Sequence, residues 1–152
     1  MKWTLDWIDD GLWVGPAPRR EADYAHLAGL GIQAVLSLQT ETEARMCGIP
    51  HEEALEMASR HGLALLRVPI RDFDVRSMAA VVPEAVRVLR DLRGRGRSVF
   101  VHCAVGINRS PTVVAGYLAL THHLSGEEAC TWVTGLHPSA PDRHVVGTIA
   151  GH

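Results

Sequence analysis

The stretch "SVFVHCAVGINRSPTVV", Ser98 to Val114, constrains the fold more than any other part of the chain. Val99, Phe100 and Val101 follow one another with no polar break, unlike a strand with one face in water. They read as a short buried strand that stops at His102. Behind Ser110-Pro111 the run "SPTVVAGYLALTHHL" is apolar on most sides and reads as a buried helix, with the proline suited to its first position. Cys103 to Arg109 form the loop between them.

The rest of the chain alternates in the same way. "TLDWI" and "LWVG" are predicted strands around an Asp-Asp-Gly turn. "EADYAHLAGLG" is a helix ending at Gly31, and Ile32 to Leu38 is an apolar strand. "PHEEALEMASRHG" carries proline at its start, acids in its first turn and glycine at its end, so it is a helix. The strand "LALLRVPI" and the polar loop "RDFDVRS" follow. A helix is predicted from about Met78, with Pro83 in its first turns or bending it. "SGEEACTWVTG" opens with the capping box Ser125 and Glu128, and Ala129, Trp132, Val133 and Leu136 form its inner face. "PDRHVVGTIAGH" adds a short last helix. Such alternation implies an α/β layer fold, with a mostly parallel sheet of four to five strands flanked by helices. Ligands of these sheets bind beyond the carboxyl ends of strands, where Cys103 stands.

Composition narrows the function. At 152 residues and 47% hydrophobic content the chain suits one domain, residues 1–152, with a substantial core. A net charge of -2 gives no reason to expect nucleic-acid binding, and "RGRGR" at Arg93 to Arg97 reads as a solvated turn. No apolar stretch reaches the length of about eighteen residues that suggests a membrane span. The opening "MKWTLDWIDDGLW" lacks the basic and apolar regions of a secretory signal. Cys47, Cys103 and Cys130 are too few and too irregular for a disulfide framework or a zinc site, which fits reduced thiols in the cytoplasm. His51 lacks the second histidine of a zinc-protease helix, and His122-His123 point to different faces of theirs. Neither metal nor cofactor is expected.

The loop from Cys103 to Ser110 carries the chemistry. A free thiol ionises near pH 8.5, so a nucleophilic cysteine needs help to reach its anion. The positive amino end of the following helix lies close by. Ala104, Val105, Gly106, Ile107 and Asn108 can turn their backbone N–H groups inward as an anion-binding nest, for which Gly106 provides the conformational freedom. Arg109 adds a permanent charge and a planar fork matched to two phosphate oxygens. Inward amides and an arginine bind a tetrahedral dianion, and a thiolate beneath it can attack phosphorus. Ser110 is either a helix N-cap or a hydroxyl donor to the sulfur, and the two are compatible.

"HCAVGINRS" resembles the H-C-x-x-G-x-x-R-S signature of cysteine-dependent protein tyrosine and dual-specificity phosphatases. The resemblance implies that Cys103 is the nucleophile, that Arg109 binds phosphate, that Ser110 assists and that His102 orients the loop. It also implies a general acid from an aspartate on an upstream loop. "PIRDFDVRS" is that loop; Asp72 is favoured, with Asp74 in reserve, and Phe73 between them is a candidate substrate contact. "WIDDGLWVG" resembles the opening strands of compact members of the family, with Trp7 and Trp13 as core residues. "IRDFD" and "LQTETE" are similar to segments of plant glucan phosphatases. Against that subgroup, the chain has no room for an added carbohydrate-binding domain, and it reads Arg-Ser-Pro where those enzymes tend to read Arg-Ala-Pro.

These readings converge on a monomeric, metal-independent phosphomonoester hydrolase acting on a phosphorylated protein or another phosphomonoester, away from membranes and nucleic acids. Phosphoglucan is the alternative substrate. The absence of lysine and arginine from the variable loop positions argues against a highly charged inositol lipid. A non-catalytic phosphate-recognising module and a sulfurtransferase are the rivals. Cys47 or Cys130 as a redox partner of Cys103 stays open, with packing or exposure the simpler role.

Overall fold

The structure, a computed structural model, describes residues 3–72 and 74–151. Among the described residues five strands form one sheet: β1 Asp6–Asp9, β2 Leu12–Gly15, β3 Ala34–Ser37, β4 Ala64–Arg67 and β5 Val99–His102. Their order is β1-β2-β5-β3-β4, with only β1 antiparallel to its neighbour. The helices among the described residues are α1 Glu21–Gly29, α2 Glu41–Cys47, α3 His51–Arg60, α4 Val75–Gly94, α5 Arg109–Thr121, α6 Gly126–Leu136 and α7 Arg143–Ala150. None among the described residues is long and apolar enough to cross a membrane.

Strand side chains alternate between two cores, as the pleat requires. Val99 and Val101 join Leu12, Val14, Ala34 and Leu36 in a core closed by α4, α5, α6 and α7. Phe100 and Val35 face the other side, with Trp3, Tyr24, Leu27 and Ala58. β5 is the central strand, hence its unbroken apolar run. Its end is in register with those of β2 and β3: Gly15 and Ser37 both pair with His102. Cys103 therefore leaves the sheet at its middle.

The structure corrects several expectations. α2 falls where no helix was predicted; Thr40 and Glu43 form a full capping box at its start. α4 begins at Val75, because Asp74 caps it by accepting from the Ser77 N–H at 3.0 Å. Pro83 thus lies inside the helix, and the Ala79 carbonyl that loses its donor is on the exposed side. α5 starts at Arg109 with Asn108 as its N-cap, so Ser110 is not the cap. On α6, Leu136 is 43% exposed; the buried face runs through Gly126, Ala129, Cys130 and Val133, and the next buried side chain is His137. Trp7 is 49% exposed, because β1 is an outermost strand, while Trp13 is half-buried.

Candidate active site

The site is built where three chain segments leave the same edge of the sheet. After β3 the chain stays extended, with the Leu38 N–H bonded to the His102 carbonyl at 2.9 Å. After β4, Ile70 donates to the Leu38 carbonyl at 3.0 Å. This pairing carries Glu43 on α2, and Asp72 beyond Ile70, to the loop that follows Cys103.

The outer side of that loop is bonded carbonyl by carbonyl. The Cys103 carbonyl accepts from His102 Nδ1 at 3.0 Å, and the Ala104 carbonyl from the Ala17 N–H at 2.9 Å. The Gly106 carbonyl accepts from His137 Nε2 at 2.6 Å, and the Ile107 carbonyl from the Ala140 N–H at 2.7 Å. The Asn108 carbonyl accepts from the Thr112 hydroxyl at 2.7 Å. In a planar trans peptide the next N–H points the opposite way. The N–H groups of residues 104, 105, 107, 108 and 109 are thereby turned toward the inner side, as an anion nest needs. Gly106 has φ +77°, and a Cβ there would lie 2.8 Å from the Gly15 carbonyl carbon and 2.9 Å from Pro16 N. Both backbone angle and space demand glycine.

Cys103 is 1% exposed, with its Sγ 3.2 Å from Ser110 Oγ. Ser110 sits in the first turn of α5, where its hydroxyl can donate to a sulfur anion. Cys103, Arg109, Asp72, Val105, Ile107 and Asn108 line a cavity of about 160 Å³. Val105 and Ile107 present apolar side chains outward, 64% and 50% exposed. Cys47 is exposed, Cys130 is buried in the core, and no cysteine is in a disulfide.

Arg109 is almost fully buried. Its Nη1 donates to Glu43 Oε1 at 2.8 Å and to the Ile70 carbonyl at 2.9 Å, and its Nη2 donates to Glu43 Oε2 at 2.5 Å. Asp72 Oδ2 lies 3.4 Å from the same Nη2. Burial opposes the charge, but the Glu43 carboxylate, with Cys103 and Asp72, outweighs it and holds the guanidinium pKa above its ordinary value. Glu43 is the site residue that sequence reading missed. Its signal was the capping box "TETE", Thr40 to Glu43, read only as a family similarity.

His102 is fully buried and stacks on Phe100 with ring centroids 5.8 Å apart. Burial pushes its pKa down to about 4, aided by the Arg109 charge and opposed by its bond to the Cys103 carbonyl. It is therefore neutral near pH 7, with Nδ1 as the donor. Of the two candidate acids, Asp72 lines the cavity, whereas Asp74 caps α4 and pairs with Arg71 at 3.0 Å. Bonding to the Ser77 N–H holds the Asp74 pKa below the ordinary carboxylate range. Phe73, the candidate substrate contact, lies outside the described residues.

The family described as "Dual specificity phosphatase, catalytic domain" matches residues 12–144. Phosphoglucan phosphatase LSF1 of Arabidopsis thaliana is 32% identical over 139 residues, 91% of this chain and 24% of its own. Dual specificity protein phosphatase 12 of Mus musculus is 31% identical over 133 residues, 88% of this chain and 36% of its own. The chain thus spans roughly a quarter to a third of these relatives' lengths. Among solved structures, Tk-PTP in its active form superposes with a TM-score of 0.80 at 25% identity, covering 97% of both chains. PTPMT1 superposes with a TM-score of 0.79 at 22% identity, covering 97% of this chain and 94% of its own, a likeness of fold.

Proposed function

The chain belongs to the dual specificity phosphatase catalytic-domain family, and on that premise we propose that it hydrolyses phosphomonoesters through a phosphocysteine on Cys103. One observation carries the reading: Cys103, Arg109 and Asp72 line a single cavity at the amino end of α5. The phosphoryl group sits on the loop amides and the guanidinium, where charge grows on its oxygens in the transition state. The Cys103 thiolate attacks phosphorus. The S–P bond forms as the bond to the leaving oxygen breaks, and Asp72 protonates that oxygen. Water then attacks phosphorus and gives a proton to the Asp72 carboxylate. The S–P bond breaks, Ser110 donates a hydrogen bond to the departing sulfur, and phosphate leaves.

The apolar rim of Val105 and Ile107 supports a substrate with one phosphate and no further negative charge beside it. A phosphorylated protein is the first substrate class, in keeping with the name of dual specificity protein phosphatase 12. The 32% identity to a phosphoglucan phosphatase favours phosphoglucan as the second. We place the activity in the cytoplasm, which the three unpaired thiols support.

The test is hydrolysis of an aryl phosphate in the presence of a metal chelator. Wild-type protein turns over, and Cys103→Ser is inactive while still binding phosphate. Full activity in Cys103→Ser overturns the mechanism. Oxyanion binding with no hydrolysis by wild type leaves the recognition module.

A further inference from the structure

His137 belongs to no part of the chemistry above, yet it bonds the phosphate-binding loop at its most adaptable point. Gly106 gives the loop its turn, and with no Cβ it restrains the Gly106–Ile107 peptide plane on one side only weakly. Rotated by half a turn, that plane would aim its carbonyl, not the Ile107 N–H, at the bound anion. That rotation would carry the φ of Ile107 to positive values, which a β-branched residue resists. A tertiary contact adds to that restraint from the end of α6: His137 is its C-cap residue, 7% exposed, with Nε2 2.6 Å from the Gly106 oxygen.

The ring is held on its other side as well. Its Nδ1 lies 2.6 Å from Asp6 Oδ2 on β1. Both ring nitrogens face oxygen atoms, and toward Gly106 the ring donates, since a carbonyl oxygen only accepts. A ring N–H donating to the Gly106 carbonyl also polarises that peptide and strengthens the Ile107 N–H as a donor. The same connector reaches the loop twice more. The Ala140 N–H donates to the Ile107 carbonyl at 2.7 Å, and Asn108 Nδ2 donates to the Ala140 carbonyl at 2.9 Å. Residues 137–140 thus brace three successive loop residues from outside, with Pro138 stiffening the segment.

We propose that His137, oriented by Asp6, is a positioning residue that fixes the Gly106–Ile107 peptide with its N–H turned toward the substrate phosphate. The inference rests on reading the loop as an oxyanion cradle, and goes beyond it by assigning what holds the cradle open. It predicts a loss of oxyanion affinity from changes at two residues that touch no substrate.

Tungstate binding, measured by calorimetry, reads the loop whether or not the chain turns substrate over. His137→Leu is expected to weaken tungstate binding about tenfold, the effect of losing one hydrogen bond that holds the loop. His137→Gln, whose amide N–H can still reach the Gly106 carbonyl, recovers much of that loss. Asp6→Asn weakens binding and moves the Ile107 amide resonance in a 15N-resolved spectrum. If His137→Leu does not fold, Asp6→Asn and that resonance carry the decision. Folded His137→Leu or Asp6→Asn protein within about twofold of wild-type affinity, with the Ile107 resonance unmoved, overturns the proposal. A wild-type chain that binds tungstate but hydrolyses nothing overturns only the phosphatase; one that binds no tungstate overturns both.

Discussion

Arg109 and Glu43 face each other as fork and carboxylate, joined by two parallel bonds of 2.8 Å and 2.5 Å. Glu43 also caps α2 from the same carboxylate, accepting from the Thr40 N–H at 3.3 Å. One side chain therefore ties the arginine proposed to bind phosphate to the start of a helix. Glu43→Gln keeps the shape and removes the charge. It is expected to lower kcat/KM about ten- to hundredfold by loosening the guanidinium. Glu43→Ala leaves a buried arginine without its main partner and is expected to cost about 3 kcal/mol of stability. Steady-state kinetics and urea unfolding of the two variants separate the effects.

Asp72 and Asp74 are close in sequence but differently placed, Asp72 lining the cavity and Asp74 capping α4. Asp72→Asn is expected to reduce kcat by about 10²- to 10⁴-fold, the range for a lost general acid. Asp74→Ala removes a helix cap, costs about 1 kcal/mol and leaves kcat near wild type. Kinetics on an aryl phosphate alongside thermal melts checks both; the reverse pattern would assign the acid to Asp74.

Ser110 lies 3.2 Å from the Cys103 sulfur, and the proposed mechanism puts its contribution in the step in which sulfur leaves. In Ser110→Ala the first step proceeds and the second slows. Stopped-flow measurement is expected to show a burst of leaving alcohol, about one equivalent per enzyme, and then a slow phase. Equal slowing of both phases would count against this role.

His102 makes stability depend on pH. Its pKa in the folded protein is about 4, below the unfolded value of about 6.5. Between those values the unfolded chain binds the proton and the folded one does not, so stability falls as pH drops through that window. The loss attributable to His102 is about 2 kcal/mol between pH 7 and pH 5. Urea unfolding of wild type and His102→Asn at both values checks it. The wild type is expected to lose more stability than the variant on acidification.

Local chemistry was legible along the chain. The unbroken run of β5, the loop from Cys103 to Arg109 and the apolar α5 lie together in sequence, and periodicity identifies such segments. The capping box of α6 was readable for the same reason, since Ser125 and Glu128 meet within one turn. Where two local readings competed, sequence left the matter open. Ser110 could cap α5 or face the sulfur, and the cap fell to Asn108. Trp7 had the composition of a core residue, but exposure depended on its strand lying at the edge.

By itself, then, the sequence determined the α/β layering and the strand, loop and helix that hold the cysteine, because these follow from residue spacing within each element. Tertiary structure decided who supports that loop. Glu43 reaches Arg109, and His137 reaches Gly106, across long separations in the chain. Glu43 arrives because parallel strands carry distant segments to one end of the sheet, His137 because α6 ends beside Asp6 of β1, and no local pattern encodes either meeting. The choice of Asp72 as the residue lining the cavity has the same origin. The pairing of Ile70 with Leu38 sets where that loop departs, and the capping of α4 occupies Asp74.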